Sequence, residues 1–179
     1  AYCTADLACD AGSRQAVEVA MDHFGRIDGV LHNASTVPEL TAPAALNDGA
    51  MEKVLDINAK ASLWLSRSAW PHMVRQGSGA FVFTTSAAVF GAGGNGPYGA
   101  AKGAVFILVK CLAVDGAAHG IRVNALAPSA RTRMTETFLN SDYGKWLART
   151  MAPEMVCGLA TYLLSGACDV SGEIFSVGG

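Results

Sequence analysis

Residues 81–125 read FVFTTSAAVFGAGGNGPYGAAKGAVFILVKCLAVDGAAHGIRVNA. The opening run, Phe81-Val82-Phe83-Thr84-Thr85, is aromatic and β-branched, which predicts a buried strand. A glycine-rich loop from Gly91 to Pro97 follows, and then an apolar helix from about Tyr98 to Ala118. His119-Gly120 turns the chain into a second apolar strand, Ile121-Arg122-Val123-Asn124-Ala125. Two such strands joined by a long helix form a crossover, and crossovers pair strands in parallel.

The same alternation extends outward in both directions. Residues 2–7 read as a strand ending in Asp6. Ser13 is placed to cap a helix whose apolar positions Ala16, Val17, Ala20, Met21 and Phe24 recur at helical spacing, with Gly25 as its stop. Val30-Leu31 reads as a buried strand running into His32-Asn33-Ala34-Ser35. A Pro- and Ala-rich loop from Val37 to Asn47 precedes helical patterning over 51–75. Downstream, a polar stretch from Ser129 to Thr150 leads to a helix opened by Pro153 and running through Leu164. Ile174-Phe175-Ser176-Val177 closes the pattern as a strand. Uniformly apolar strands alternating with helices predict an α/β fold with a parallel sheet covered on both faces.

Composition narrows the function classes. Of 179 residues, 51% are hydrophobic and 16% charged, against about 25% charged in an average soluble domain. That excludes intrinsic disorder, and the length fits one domain over residues 1–179. A net charge of −2 and a pI near 6.1 give no basic footprint for nucleic acid. The longest unbroken apolar run, Ala104 to Val109, is far short of the roughly 20 residues a membrane span needs. The five cysteines are odd in number and form no CxxC pair, so they read as small reduced core residues. The four histidines show no HxxxH spacing, so no metal site is expected. With no basic-then-apolar leader in view, the expected compartment is the cytoplasm.

Tyr98-Gly99-Ala100-Ala101-Lys102 places a phenol and an ammonium one helical turn apart, on the same face. A nearby ammonium favours phenolate over phenol, which suits general acid–base work. The alternative is an exposed helical pair. Ser86 ends the preceding strand and Asn58 lies at the start of another predicted helix. In an open parallel sheet, ligands bind beyond the carboxyl ends of the strands. Asp6, Asn33, Ser86 and Pro128 all fall just past predicted strand ends, so one rim gathers them. Read singly, Asp6 also serves as a helix-entry residue, Ser86 as a turn former and Asn58 as a helix cap.

With these residues in view, the chain resembles the short-chain dehydrogenase/reductase family. The resemblance is carried by Asp6-Leu7, by His32-Asn33-Ala34-Ser35 (usually Asn-Asn-Ala-Gly) and by Asn58. It continues through Ser86, Tyr98-x-x-x-Lys102 and Ile121-Arg122-Val123-Asn124-Ala125-Leu126-Ala127-Pro128. It implies a doubly wound, Rossmann-like sheet and an oxidoreductase that moves hydride between NAD or NADP and a secondary alcohol or ketone. Tyr98 would exchange the proton with the substrate oxygen, and Lys102 would assist it and hold the nicotinamide ribose. Ser86 would bond the substrate carbonyl, and Asn58 would anchor a water in the proton relay. Asp6 and Leu7 would line the adenine pocket, Asn33, Ala34 and Ser35 would pass beside the adenosine ribose, and Pro128 and Thr132 would contact the nicotinamide. The segments 127–136 and 171–179, with Ala69-Trp70-x-His72-Met73, resemble the (3R)-hydroxyacyl-CoA dehydrogenase branch. That implies 3-hydroxyacyl or 3-oxoacyl thioesters as substrates, with Arg131 and Arg133 available to a CoA phosphate. Phe138, Tyr143, Trp146 and Leu147 read equally as an apolar lid or as a helix packing on the core. The resemblance also implies a homo-oligomer, dimer or tetramer, with Trp64, Trp70 and Phe106 as cross-subunit contacts.

The chain departs from the family pattern at several points. Ser35 and Ser129 each stand where a glycine is usual, and Ser86 lies one residue closer to Tyr98 than is common, with Thr85 as the alternative hydroxyl. No GxxxGxG phosphate turn occurs in these residues, and residue 1 falls just before what resembles the family's third strand. The expectation is therefore a fragment: a sheet lacking the first two strands, with four parallel strands, Val30-Leu31 at an open edge and residues 1–25 poorly anchored. Negligible cofactor affinity is expected of such a stretch in isolation. A chain complete as it stands would instead be a non-catalytic relative serving as an interaction module.

Overall fold

Strand β2 (Gly79–Thr84) is buried along Ala80 to Phe83 because it is paired on both sides. The computed structural model describes residues 1–37, 39–138 and 140–178, with residues 137 and 138 by backbone alone. Around β2 lie β1 (Gly29–His32), β3 (Ile121–Pro128) and β4 (Ile174–Val177), in the parallel order β1-β2-β3-β4. Val30 stands opposite Phe81, Phe81 opposite Val123, and Leu126 opposite Phe175. The four expected strands are present, and β1 is the edge, with Leu31 46% exposed.

Side chains alternate across a strand, and β2 uses both faces. Phe81 and Phe83 point to one side, where they meet α1 (Asp10–Phe24), α3 (Ala61–Gln76) and α4 (Gly96–Gly116) through Val17, Leu65, Ala69, Met73, Val105 and Val109. Trp70 stacks on Phe81 at 5.9 Å between centroids, and Phe81 on Phe83 at 5.7 Å. Val82 points to the other face, toward Ala160 and Leu163 of α6 (Glu154–Leu164). Of the remaining helices, α2 (Asp48–Leu55) packs against α4, and α5 (Asp142–Thr150) against the short helical segment at 133–138. Among the described residues no helix is long and apolar enough to cross a membrane.

The amino-terminal region differs from expectation in three respects. Residues 2–5 form no strand: among the described residues no strand pairs with them, and an unpaired strand would leave its ladder groups without partners. Asp6 instead turns the chain, its Oδ1 accepting from the Ala8 N–H at 2.9 Å. The helix that follows is nonetheless anchored, with Val17 buried in the core and Asp10 ion-paired to Arg67 of α3. Its start is Asp10 after Cys9, so Ser13 lies inside the helix and is fully buried rather than capping it. Gly25 stops it as predicted, at φ +70°.

Helical patterning over 51–75 resolves into α2 and α3 joined without a loop by a π turn, Asp56–Lys60. Asn58 therefore lies within a continuous helical run and is not a cap. Two polar residues of β3 brace the far side. Arg122 donates to the carbonyls of Leu163 and Ser165 at 2.7 and 2.8 Å, placing its cation at the carboxyl end of α6. The buried Asn124 side chain donates to the Val170 carbonyl and accepts from the Glu173 N–H, tying β3 to the approach of β4.

Of the five cysteines only Cys168 is buried; Cys9, Cys111 and Cys157 are exposed and Cys3 half-buried. Cys111 and Cys157 lie on α4 and α6 with exposed side chains, which composition alone does not reveal.

Candidate active site

Helix α4 begins with Pro97 in its first turn, where a missing N–H costs nothing. That turn carries Tyr98, 8% exposed, against Val54 and Ala101, with Leu55, Ala59 and Ala88 around them. One turn on, Lys102 is 1% exposed. The exposed helical pair is therefore not what forms. Lys102 Nζ lies 5.6 Å from the Tyr98 ring centroid and donates to the Thr84 carbonyl at 2.7 Å. Burial holds the Lys102 pKa down, from 10.5 to about 8.

Thr84 connects this pair to the next strand. Its Oγ1 donates to Asn33 Oδ1 at 2.9 Å, just past the end of β1. Thr85 donates its hydroxyl to the Lys102 carbonyl at 2.8 Å and is fully buried. Ser86 is half-buried at the rim, its Oγ accepting from the Ala88 N–H at 3.2 Å, which leaves its proton available to a ligand. The backbone anchor at Thr84 is a site residue that the sequence reading missed; a polar pair, Thr84-Thr85, closing an apolar strand was its only signal.

Asn58 is wholly buried in the π turn. Its Nδ2 donates to the carbonyls of Thr36 (2.8 Å) and Val54 (3.0 Å), and its Oδ1 accepts from the Ser35 hydroxyl at 2.5 Å. His32 is 3% exposed, with Nδ1 hydrogen-bonded to Ser62 Oγ at 2.8 Å. Burial, and then the Lys102 charge, bring its pKa down to about 4.

The other expected residues distribute around this centre. Asn33 and Ala34 are exposed on the loop past β1 and Pro128 is half-buried at the end of β3, so the carboxyl rim gathers them with Ser86 and Tyr98. Thr132 is exposed, its N–H bonded to Thr135 Oγ1. Asp6 is exposed on its turn before α1, while Leu7 packs against the main core. A cavity of about 280 Å³ opens beside Pro97, lined by Glu39, Thr41, Leu46, Asn47 and Met51. On α5, Leu147 is buried, whereas the Tyr143 and Trp146 rings meet at a tilt of 35°, 5.9 Å between centroids, and stay exposed, at 56% and 43%. The core thus takes one of these side chains and solvent two; the Phe138 side chain lies outside the described residues.

A family model described as enoyl-(acyl carrier protein) reductase matches residues 1–179. A 2-dehydro-3-deoxy-D-gluconate 5-dehydrogenase of Pseudoalteromonas atlantica is 35% identical over 187 residues, covering 96% of this chain and 72% of that protein. The chain belongs to the short-chain dehydrogenase/reductase family. Members of this oxidoreductase family that it resembles include the mouse peroxisomal multifunctional enzyme type 2, 34% identical over 90% of this chain. The chain spans only 22% of that enzyme's length. The fold agrees: a short-chain type dehydrogenase/reductase from Mycobacterium ulcerans superposes with a TM-score of 0.86 at 27% identity, covering 96% of this chain and 66% of that one.

Proposed function

We propose that these residues carry the proton-transfer machinery of an NAD- or NADP-dependent oxidoreductase that interconverts a secondary alcohol and a ketone. The observation that carries this is the buried pairing of Tyr98 and Lys102 at the rim of the sheet. A buried ammonium is retained against its desolvation cost, and its hydrogen bond to Thr84 O uses one of three donors.

A nicotinamide dinucleotide fits the residues present. Past β1 the chain offers exposed, small Asn33 and Ala34, while Lys102 holds a cation beside them. Asp6, Leu7, Asn33, Ala34 and the backbone of Ser35 would hold its adenosine half, and Pro128, Thr132, Tyr98 and Lys102 its nicotinamide half. When bound, the nicotinamide supplies the hydride acceptor or donor. The protein's part is orientation and the proton. Ser86 bonds the substrate oxygen, Tyr98 takes the alcohol proton in oxidation and returns it in reduction, and Lys102 stabilises the charge that develops on the Tyr98 oxygen. Asn58 anchors the relay behind Lys102.

As substrates we propose 3-hydroxyacyl or 3-oxoacyl thioesters. The acyl carrier named by the matching family model supports this reading, as do the apolar Leu46, Met51 and Pro97 walls of the neighbouring cavity. Exposed Arg131 and Arg133 lie past β3, where a phosphorylated carrier would pass. Leu63, Ile107 and Val114, 51%, 59% and 77% exposed on α3 and α4, support pairing of two copies through that face. Trp70 is instead engaged internally on Phe81.

The test is oxidation of reduced nicotinamide in the presence of a 3-oxoacyl thioester, using the protein as its gene encodes it. Tyr98→Phe is expected to lower kcat by about 10²- to 10⁴-fold with cofactor binding retained. Activity within tenfold of wild type would remove Tyr98 from the role.

A further inference from the structure

The quartet after β1 differs from the usual Asn-Asn-Ala-Gly at its first and last positions, His32 and Ser35. Both departures end on one face of the same helical run. His32 Nδ1 meets Ser62 Oγ at 2.8 Å, and Ser35 Oγ donates to Asn58 Oδ1 at 2.5 Å. Asn58 and Ser62 are one turn apart, the first in the π turn and the second in the opening turn of α3. Ser62 and Asn58 are fully buried, and Ser62 is braced in turn by Ser66, whose hydroxyl donates to the Ser62 carbonyl at 2.7 Å.

We propose that His32 and Ser35 are positioning residues that clasp the π turn to the end of β1 and fix the orientation of Asn58. The proposal rests on the function given above, in which Asn58 anchors the proton relay. Asn58 commits both Nδ2 hydrogens to carbonyls of the chain, Thr36 and Val54, and its Oδ1 takes the third contact of the same amide plane. The Ser35 hydroxyl supplies it. Without that hydroxyl, Oδ1 becomes a buried acceptor lacking its partner, and the amide gains reason to turn. The clasp also opposes closure of the π turn into plain α-helix. Such closure removes one residue from the turn and rotates its side chains by about 100° around the axis. A neutral imidazole suits the second contact, and burial keeps His32 in that form.

The experiment is a double-mutant cycle on the gene-encoded protein, with NMR of the Asn58 side-chain amide alongside. Ser35→Ala is expected to lower kcat by about ten- to a hundredfold through misplacement of the relay, with both KM values within twofold. Tm should fall by no more than about 4 °C. Ser35→Thr, which keeps the hydroxyl, should restore most of kcat. In an Asn58→Ala background the Ser35→Ala step should cost nothing further, since its target is gone. The Asn58 NH₂ resonances should shift or broaden in Ser35→Ala. Wild-type kcat in Ser35→Ala, or a full loss persisting on top of Asn58→Ala, would overturn the proposal. A loss confined to the cofactor KM would also overturn it, placing Ser35 at the cofactor instead. Should the unmutated protein turn over no alcohol or ketone with either nicotinamide, the proposed function fails. The clasp is then decided by the amide resonances, and unchanged signals in Ser35→Ala dismiss it.

Discussion

Lys102 Nζ donates to the carbonyl of Thr84 at 2.7 Å, so a helix side chain is tethered to the last residue of the central strand. The tether holds a charge in the interior. Burial lowers the Lys102 pKa to about 8, below its unfolded value near 10.5. Between those values the unfolded chain binds more protons, so stability rises as pH climbs from about 8 to 10.5. Below pH 8 the full cost of the buried charge is present. Lys102→Met is therefore expected to abolish turnover and yet stabilise the fold at pH 7. The gain is on the order of 1–3 kcal/mol after loss of the Thr84 bond. Urea unfolding at pH 7 and pH 10 reads both parts: the gain, and the missing pH slope.

The adjacent hydroxyls of Thr85 and Ser86 should separate cleanly by experiment. Thr85 is fully buried on the Lys102 carbonyl, whereas Ser86 is half-buried at the rim. Thr85→Ala is expected to cost about 1–2 kcal/mol of stability. Ser86→Ala is expected to leave stability within about 0.5 kcal/mol and to lower kcat. Paired measurements of unfolding and turnover on the two variants check the assignment, and a stable, fully active Ser86→Ala would reverse it.

His32 sets an acid limit. Its folded pKa, about 4, lies below the ordinary 6.5, first through burial and then through the Lys102 charge. The unfolded chain takes up this proton first as pH falls. The stabilisation is thus complete above about 6.5 and is lost progressively down to about 4. The loss is on the order of 3 kcal/mol, and His32→Asn should flatten this part of the profile. The imidazole resonances of His32 should stay in the neutral position at pH 5.5, where exposed histidines are mostly protonated.

Gly12 tests the anchoring of α1. A Cβ built there would lie 1.8 Å from the Asp6 carbonyl oxygen, so helix and preceding turn cannot both keep their places. Gly12→Ala is expected to destabilise by about 1–3 kcal/mol and to raise hydrogen exchange through residues 6–12 ahead of the rest of α1. Exchange mass spectrometry at short labelling times shows whether the loss is local.

Much of this architecture was legible in periodicity. The strands at Val30-Leu31, Phe81 and Ile121, the Gly25 stop and the Pro153 start follow from local rules, and the structure keeps them. Misreadings arose where a neighbour decides. Residues 2–5 have strand composition, but composition cannot supply a strand to pair with. Ser13 is a good cap by type, yet the helix starts one turn earlier and draws it inside. Asn58 and Tyr98-x-x-x-Lys102 were visible as motifs. The π turn that carries Asn58 was not, because a one-residue phase slip is not distinct in the short apolar pattern on either side of it. Thr84 escaped notice because it acts through its backbone carbonyl, which every residue has.

The outer margin of β1 carries a further consequence. Gly29–His32 is bonded to β2 on one side only, and Leu31 stands 46% exposed on it. A row of unsatisfied amides beside an apolar side chain is a template that any extended peptide can complete. Whatever extended segment lies along β1, of the same polypeptide or of a second molecule, would be held by the same backbone hydrogen bonds that build the sheet.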